Sequence, residues 1–201
     1  MTNVFETIDK YFATDPPGWT TPIIAKTFAA CVIALRPSLV IEIGVFGGRA
    51  TIPIAIALRE VGTGMINAID PWDFSASIEG QGAENAAWWK NANMHEDVRQ
   101  RFLKDVRDIG IQNCINVIRS RSDDASPHKC QMLLIDGNHG PQAIKDVERF
   151  APHVDVGGLV YMDDLNWEFG NVQKAVNLLI TKGFSKLYGI GTGAMFQRIR
   201  A

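Results

Sequence analysis

The chain has 201 residues, 46% of them hydrophobic and 21% charged, with a formal net charge of -2. That is room for one α/β unit with a sizeable core, in the composition range of a globular protein. The near-neutral charge leaves no electrostatic footprint for nucleic acid or anionic lipid, and no run of about 18 apolar residues exists to span a bilayer.

The N-terminus has no basic stretch running into an apolar one, so no secretory signal is expected. Val4, Phe5, Ile8 and Phe12 mark an amphipathic helix. Asp15-Pro16-Pro17-Gly18 breaks it, and Thr21-Pro22 opens a second helix carrying Ile23, Ile24, Phe28, Val32 and Leu35. Residues 1–36 thus form a helical preface. Leu39-Val40-Ile41-Glu42-Ile43 is a buried strand, β-branched and nearly all apolar. A tight loop, Gly44-Val45-Phe46-Gly47-Gly48, leads into a helix from Arg49 to Val61, and Met65 to Asp70 is a second strand ending in an acid. Phe74 to Ala92 is polar and glycine-spotted, carries Trp88-Trp89, and fits only part of a helix.

A helix from about Met94 to Ile109 leads to a third strand, Ile115 to Ile118. The fourth strand ends at Asp136, a helix runs from about Pro141 to Phe150, and the fifth strand ends at Asp163. A helix from about Val172 to Thr181 precedes strands at Phe184 to Tyr188 and Ala194 to Ile199. Alternating strands and helices predict a parallel sheet with right-handed crossovers. The five residues between the last two strands are too few for a helical crossover, so that pair is expected to be antiparallel. Cys31, Cys114 and Cys130 are odd in number and scattered without metal-like spacing, as free thiols of a reducing compartment would be. The expectation is one soluble, cytoplasmic domain spanning 1–201, with no nucleic-acid or membrane partner and with homo-oligomerisation left open.

Two apolar runs end on acids: Leu133-Leu134-Ile135 at Asp136, and Leu159-Val160-Tyr161-Met162 at Asp163-Asp164. In an open α/β sheet the edge at the strand C-termini is where ligands bind. A strand, glycine loop and helix admit a dinucleotide reading, but the fingerprint's first glycine is replaced here by Glu42. A carboxylate there repels a pyrophosphate and suits an ammonium, such as the amino-acid end of S-adenosylmethionine. Asp70 can accept both ribose hydroxyls of either ligand. The alternative is that the glycines only let helix and strand pack closely.

Four elements carry a resemblance. Glu42-Ile43-Gly44-Val45-Phe46-Gly47-Gly48, Ala68-Ile69-Asp70-Pro71-Trp72, Ile135-Asp136-Gly137-Asn138-His139 and Gly157-Gly158-Leu159-Val160 with Asp163-Asp164 follow in order at sensible spacing. After residue 37 the chain resembles the class I S-adenosylmethionine-dependent methyltransferases. Within them it is similar to the small-molecule O-methyltransferases of the macrolide-sugar and catechol-like kinds. The resemblance implies a three-layer doubly wound sandwich, with a mostly parallel seven-stranded sheet and an antiparallel last strand. It implies cofactor contacts from Glu42, Gly44, Gly47, Asp70 and Asp136, and an adenine contact from Ser122 and Asp123 after the third strand. Residues 1–36 and 73–95 lie outside it.

A sugar or catechol hydroxyl is too weak an acid to ionise alone at neutral pH. A divalent cation or a general base in hydrogen-bond reach solves this. Asp136, Asp163 and Asp164 offer the hard oxygens that magnesium takes. His139, three residues past Asp136, is placed to accept a proton, with Asp136 beside it in the catalytic pair. The acids have a plainer reading as helix caps or solvated loop residues. His95, His128 and His153 read as bystanders. Trp72, directly after Asp70-Pro71, is a candidate for the adenine. The 73–95 insert is either a lid over the ligand edge or an interface between copies. The expected activity is methylation of a hydroxylated small molecule. The alternatives are an NAD(P)-dependent oxidoreductase, against which Glu42 and the lack of a Tyr-x-x-x-Lys pair argue, and an inactive S-adenosylmethionine-binding relative.

Overall fold

A computed structural model of the chain describes residues 3–90 and 92–200. Its strands are β1 (Leu39–Ile43), β2 (Met65–Ile69), β3 (Ile115–Ile118), β4 (Cys130–Ile135), β5 (Val154–Met162), β6 (Phe184–Ile190) and β7 (Gly193–Arg198). They form one sheet in the order β3-β2-β1-β4-β5-β7-β6. β1 to β5 are parallel, while β7 runs antiparallel to both β5 and β6.

Alternation along the strands sends side chains to two cores. Val40, Ile66, Ala68, Met132, Leu134 and Tyr161 join one core with α1 (Val4–Phe12), α2 (Pro22–Leu35), α3 (Thr51–Val61) and Phe102 of α6 (Ala92–Ile109). Ile41, Ile43, Leu133, Ile135, Val160 and Met162 join the other with α7 (Gln142–Phe150) and α8 (Asn171–Thr181). The result is a three-layer α/β sandwich. Each fully buried aliphatic side chain contributes roughly 1.5–3 kcal/mol. α2 begins where its sequence can satisfy the first free N–H groups: the Thr21 side chain accepts from Ile24 N, and Pro22 opens the helix. No described helix is long and apolar enough to cross a membrane.

The register fixes the site. Ile43 pairs with Ile69 and Ile135, and Ile135 pairs with Met162. The residue after each strand is therefore Gly44, Asp70, Asp136 or Asp163, and the ladder carries on through them. Gly44 N donates to Ile69 O, Asp136 N to Ile43 O and Asp163 N to Ile135 O. One glycine and three aspartates stand in one row at the sheet edge, where the strand order reverses between β1 and β4.

Candidate active site

The row opens into a cavity of about 640 Å3. Of the expected site residues, Glu42, Gly44, Gly47, Asp70, Ser122, Asp136, His139, Asp163 and Asp164 line it. Glu42 has the parity of Val40, so it points toward the start of α3 and accepts a hydrogen bond from Thr51 Oγ1. Burial pushes its carboxyl well above the usual range against that hydrogen bond, and Asp136 and Asp70 add to the rise. Among the described residues no ion pair reaches Glu42 or Asp70.

Asp70 has a heavier structural duty than expected. Its Oδ2 accepts from Val45 N and Phe46 N, both at 2.9 Å, and its Oδ1 from Trp72 N at 2.6 Å. The carboxylate ties down the glycine loop, and lone-pair counting leaves it one free site, enough for one ribose hydroxyl rather than two. Burial raises its pKa in spite of these three donors. The glycines also answer to packing. A Cβ on Gly44, whose φ is +90°, would lie 2.1 Å from Asp136 O, and one on Gly47 would lie 2.1 Å from Pro17 O.

The reaction corner joins β4, β5 and the β6–β7 turn. His139 Nε2 lies 3.8 Å from Asp136 Oδ1 and 3.7 Å from Asp164 Oδ2. It is buried and without a hydrogen-bond partner, and its ring packs on Trp167 at 4.7 Å. Asp163 Oδ1 accepts from Tyr161 Oη and Thr192 Oγ1, each at 2.8 Å. Asp164 has φ +47°, a left-handed backbone that turns its carboxylate toward the histidine. Burial and the charge of Asp163 lift Asp136 to about 8, against His139. Burial disfavours charge on His139, yet Asp136, Asp164 and Asp163 outweigh it and hold its pKa above the ordinary value. The three aspartates meet at one edge. Among the described residues, however, no three His, Cys, Asp or Glu side chains are already arranged to hold a metal ion.

Two expected contacts lie elsewhere. Trp72 is 3% exposed, stacks on Phe102 at 5.9 Å and donates from Nε1 to Phe46 O at 2.8 Å. Its φ of +45° turns the indole into the core behind the loop, away from the cavity. Asp123 does not line the cavity; Gln142 Nε2 at 3.0 Å and Lys145 Nζ at 3.7 Å hold it against α7.

His95, expected to be a bystander, enters the site together with residues that the sequence does not single out. His95 is a lining residue, 3% exposed, bonded to Ser77 Oγ at 3.0 Å and stacked on Trp89 at 5.1 Å. The insert forms α4 (Phe74–Ile78) and α5 (Ala83–Trp88), and with the strap between α1 and α2 it covers the cavity. The two covers meet at Trp19, which stacks on Phe46 at 5.0 Å and touches Trp88 and Trp89 at 5.3 and 6.0 Å. Nothing in the local pattern of residues 13–21 announces this contact. Asp146, buried on α7 and also lining the cavity, had a usable signal, an acid within an otherwise apolar helical stripe.

Strand order, glycine loop and acid row define the class I methyltransferase architecture. A family profile described as a methyltransferase domain matches residues 41–165. The chain belongs to that methyltransferase family. No curated protein matches the sequence. Among solved structures it is similar to the O-methyltransferase NovP (20% identity, TM-score 0.68, 91% of this chain and 84% of that one). It is also similar to the O-methyltransferase TomG of Streptomyces achromogenes, involved in tomaymycin synthesis and solved with S-adenosylmethionine (13% identity, TM-score 0.66, 100% and 91%). A third is the methyltransferase PaMTH1 of Podospora anserina bound to S-adenosylhomocysteine (9% identity, TM-score 0.67, 100% and 89%). At these identities the likeness is one of fold.

Proposed function

We propose that the protein moves the methyl group of S-adenosylmethionine to a hydroxyl oxygen of a small molecule. The observation that carries this is the placement of His139. Its unpartnered, buried Nε2 sits between two carboxylates, in the same cavity as the unpaired acid Glu42 at the glycine loop. A ligand bringing its own cationic groups complements such a cavity, and the neighbours solved with S-adenosylmethionine or S-adenosylhomocysteine support that choice. When bound, S-adenosylmethionine supplies an electrophilic methyl group on a sulfonium. Glu42 holds the ammonium, Asp70 fixes the glycine loop and one ribose hydroxyl, and the cover excludes water. His139 Nε2 would take the proton of the acceptor hydroxyl as that oxygen is methylated. Asp136 and Asp164 stabilise the imidazolium that results.

Magnesium belongs to the same reading, with Asp136, Asp163 and Asp164 as its ligands. The donors fit it in kind: hard oxygens, in a corner where burial and the neighbouring Asp163 lift Asp136 to about 8 and a cation would relieve that cost. A cation there would lower the pKa of the acceptor hydroxyl. Titration calorimetry with S-adenosylmethionine and with NAD tests the cofactor; binding of NAD alone makes the protein an oxidoreductase instead. Thermal melts with magnesium test the metal. We expect stabilisation that grows with magnesium concentration and vanishes in Asp163→Ala and Asp164→Ala, and a flat response in the parent protein ends the metal reading. Transfer assays on sugar and phenol hydroxyls separate an enzyme from a cofactor-binding relative.

A further inference from the structure

Asp146 is a buried acid outside any ion pair among the described residues, and the chemistry above does not use it. The buried stripe of α7 is Ala143, Asp146, Val147 and Phe150, so a carboxylate occupies a core position of the helix. It is 1% exposed. Its Oδ1 accepts from Gln142 Nε2 at 3.0 Å, while its Oδ2 has no hydrogen-bond partner. No ion pair compensates it among the described residues, and the neighbouring Lys145 is committed to Asp123. A buried acceptor without a donor is costly to keep, and this one belongs to the cavity wall together with Ser122 and Gln142.

Its place in the cavity says what donor it waits for. Gln142 Nε2 shares its two N–H groups among Asp146, Asp123 and, at 3.1 Å, Ser122 Oγ, so the loop after β3 is bridged to α7 across the edge over β2 and β1. That bridge lies on the α7 face of the sheet. Glu42 points to the opposite face, toward Thr51 of α3. A ligand that joins the two passes over Gly44 and Asp70 and must be long, cationic at one end and a hydrogen-bond donor at the other. S-adenosylmethionine, the cofactor proposed above, meets this description with its ammonium and the exocyclic amine of its adenine.

We propose that Asp146, oriented by Gln142 and backed by Ser122, is the residue that reads the 6-amino group of the adenine, in place of Asp123. Oδ2 accepts one N–H of that amine, while the Gln142 amide keeps Oδ1 occupied. A purine with a carbonyl at position 6 sets two acceptors against each other and is rejected.

The test compares S-adenosylhomocysteine with S-inosylhomocysteine by calorimetry on the full chain. We expect the parent protein to bind the adenosyl compound at least tenfold more tightly. In Asp146→Asn, whose amide can donate to a 6-carbonyl, the preference should fall below about threefold or reverse. Asp146→Ala should lose the preference without reversing it, and Asp123→Asn should keep it. Equal binding of the two compounds by the parent overturns the proposal and needs no variant to fold. A preference retained in Asp146→Asn, or one lost in Asp123→Asn alone, also overturns it while leaving the cofactor reading intact. If the parent binds neither compound but binds NAD, the cofactor reading fails and this proposal with it.

Discussion

The two walls of the cavity are held in place by different forces. The floor is a row of strand ends, where backbone hydrogen bonds set Gly44, Asp70, Asp136 and Asp163 side by side. The cover is two short helices and a strap, joined by stacked aromatic rings, with Trp19 62% and Trp88 54% exposed. A ladder has one register, so the floor can hold uncompensated acids in fixed positions. Rings that meet at 5–6 Å can part and meet again, so the cover can admit a ligand. Chemistry is placed on the rigid wall and access on the soft one.

The sharpest way to break the floor is Gly44→Ala. The new Cβ would stand 2.1 Å from Asp136 O at a φ of +90°, so two strand ends must separate. We expect a loss of about 3 kcal/mol or more of stability, read as a lower Tm. Gly62→Ala is the matched control, since it has positive φ but nothing within 4 Å; it should cost about 1 kcal/mol. Equal losses would mean that backbone strain, not the approach of β4, demands the glycine.

Asp146→Asn tests the cost of a buried acid away from the row. Burial raises this carboxyl from 3.8 to about 6. Its folded pKa lies above its unfolded one, so the unfolded chain ionises first as pH rises. About 3 kcal/mol of stability is therefore lost between about pH 4 and pH 6. The asparagine variant should lack that decline, gaining on the parent as pH rises through the window. Parallel stability curves would remove Asp146 from the account.

His139→Ala should cut transfer on the order of a hundredfold or more, about 2.7 kcal/mol, with cofactor affinity nearly unchanged. A comparable loss of affinity would make the histidine a binding group. Asp70→Ala should weaken cofactor binding by about 1–3 kcal/mol and lower Tm as well, because three backbone donors lose their acceptor. Weaker binding with an unchanged Tm would contradict its role in tying the loop.

The floor was legible in the sequence for the reason that makes it rigid. Each strand is a short apolar run, the acids follow the runs directly, and parallel register converts "one past the strand" into a row. β1 and β3 begin and end where the apolar pattern does. The cover was legible only in part: the 73–95 insert reads as a lid or an interface, but neither its helices nor the strap that meets it can be read. α4 and α5 span only five and six residues, too short for a 3.6-residue period to show. The side-chain facts that sequence spacing cannot carry are the turns at positive φ. At Trp72 such a turn sends the indole into the core rather than toward the ligand. Gly47 likewise reads as a ligand-loop glycine, yet what it meets is Pro17, a partner 30 positions away in the chain.

The gentlest break is Trp19→Ala, at the point where strap and insert touch. The indole stacks on Phe46 with an interplanar angle of 26°, meets Trp88 at a tilt and meets Trp89 edgewise. It is mostly exposed, so little core is lost and Tm should fall only slightly. A cover that acts as a lid would break these contacts on opening, and aromatic pairs of this kind contribute about 0.5–1.5 kcal/mol. The substitution should therefore speed release of bound S-adenosylhomocysteine roughly 2- to 12-fold, leaving the acid row and the intrinsic chemistry untouched. Stopped-flow fluorescence of the remaining tryptophans would follow that release. An unchanged off-rate would show that the rings decorate the cover without holding it shut, and the strap's polar ties, Arg49 donating to Pro16 O and Gly18 O and Arg101 donating to Thr14, would then be the latch.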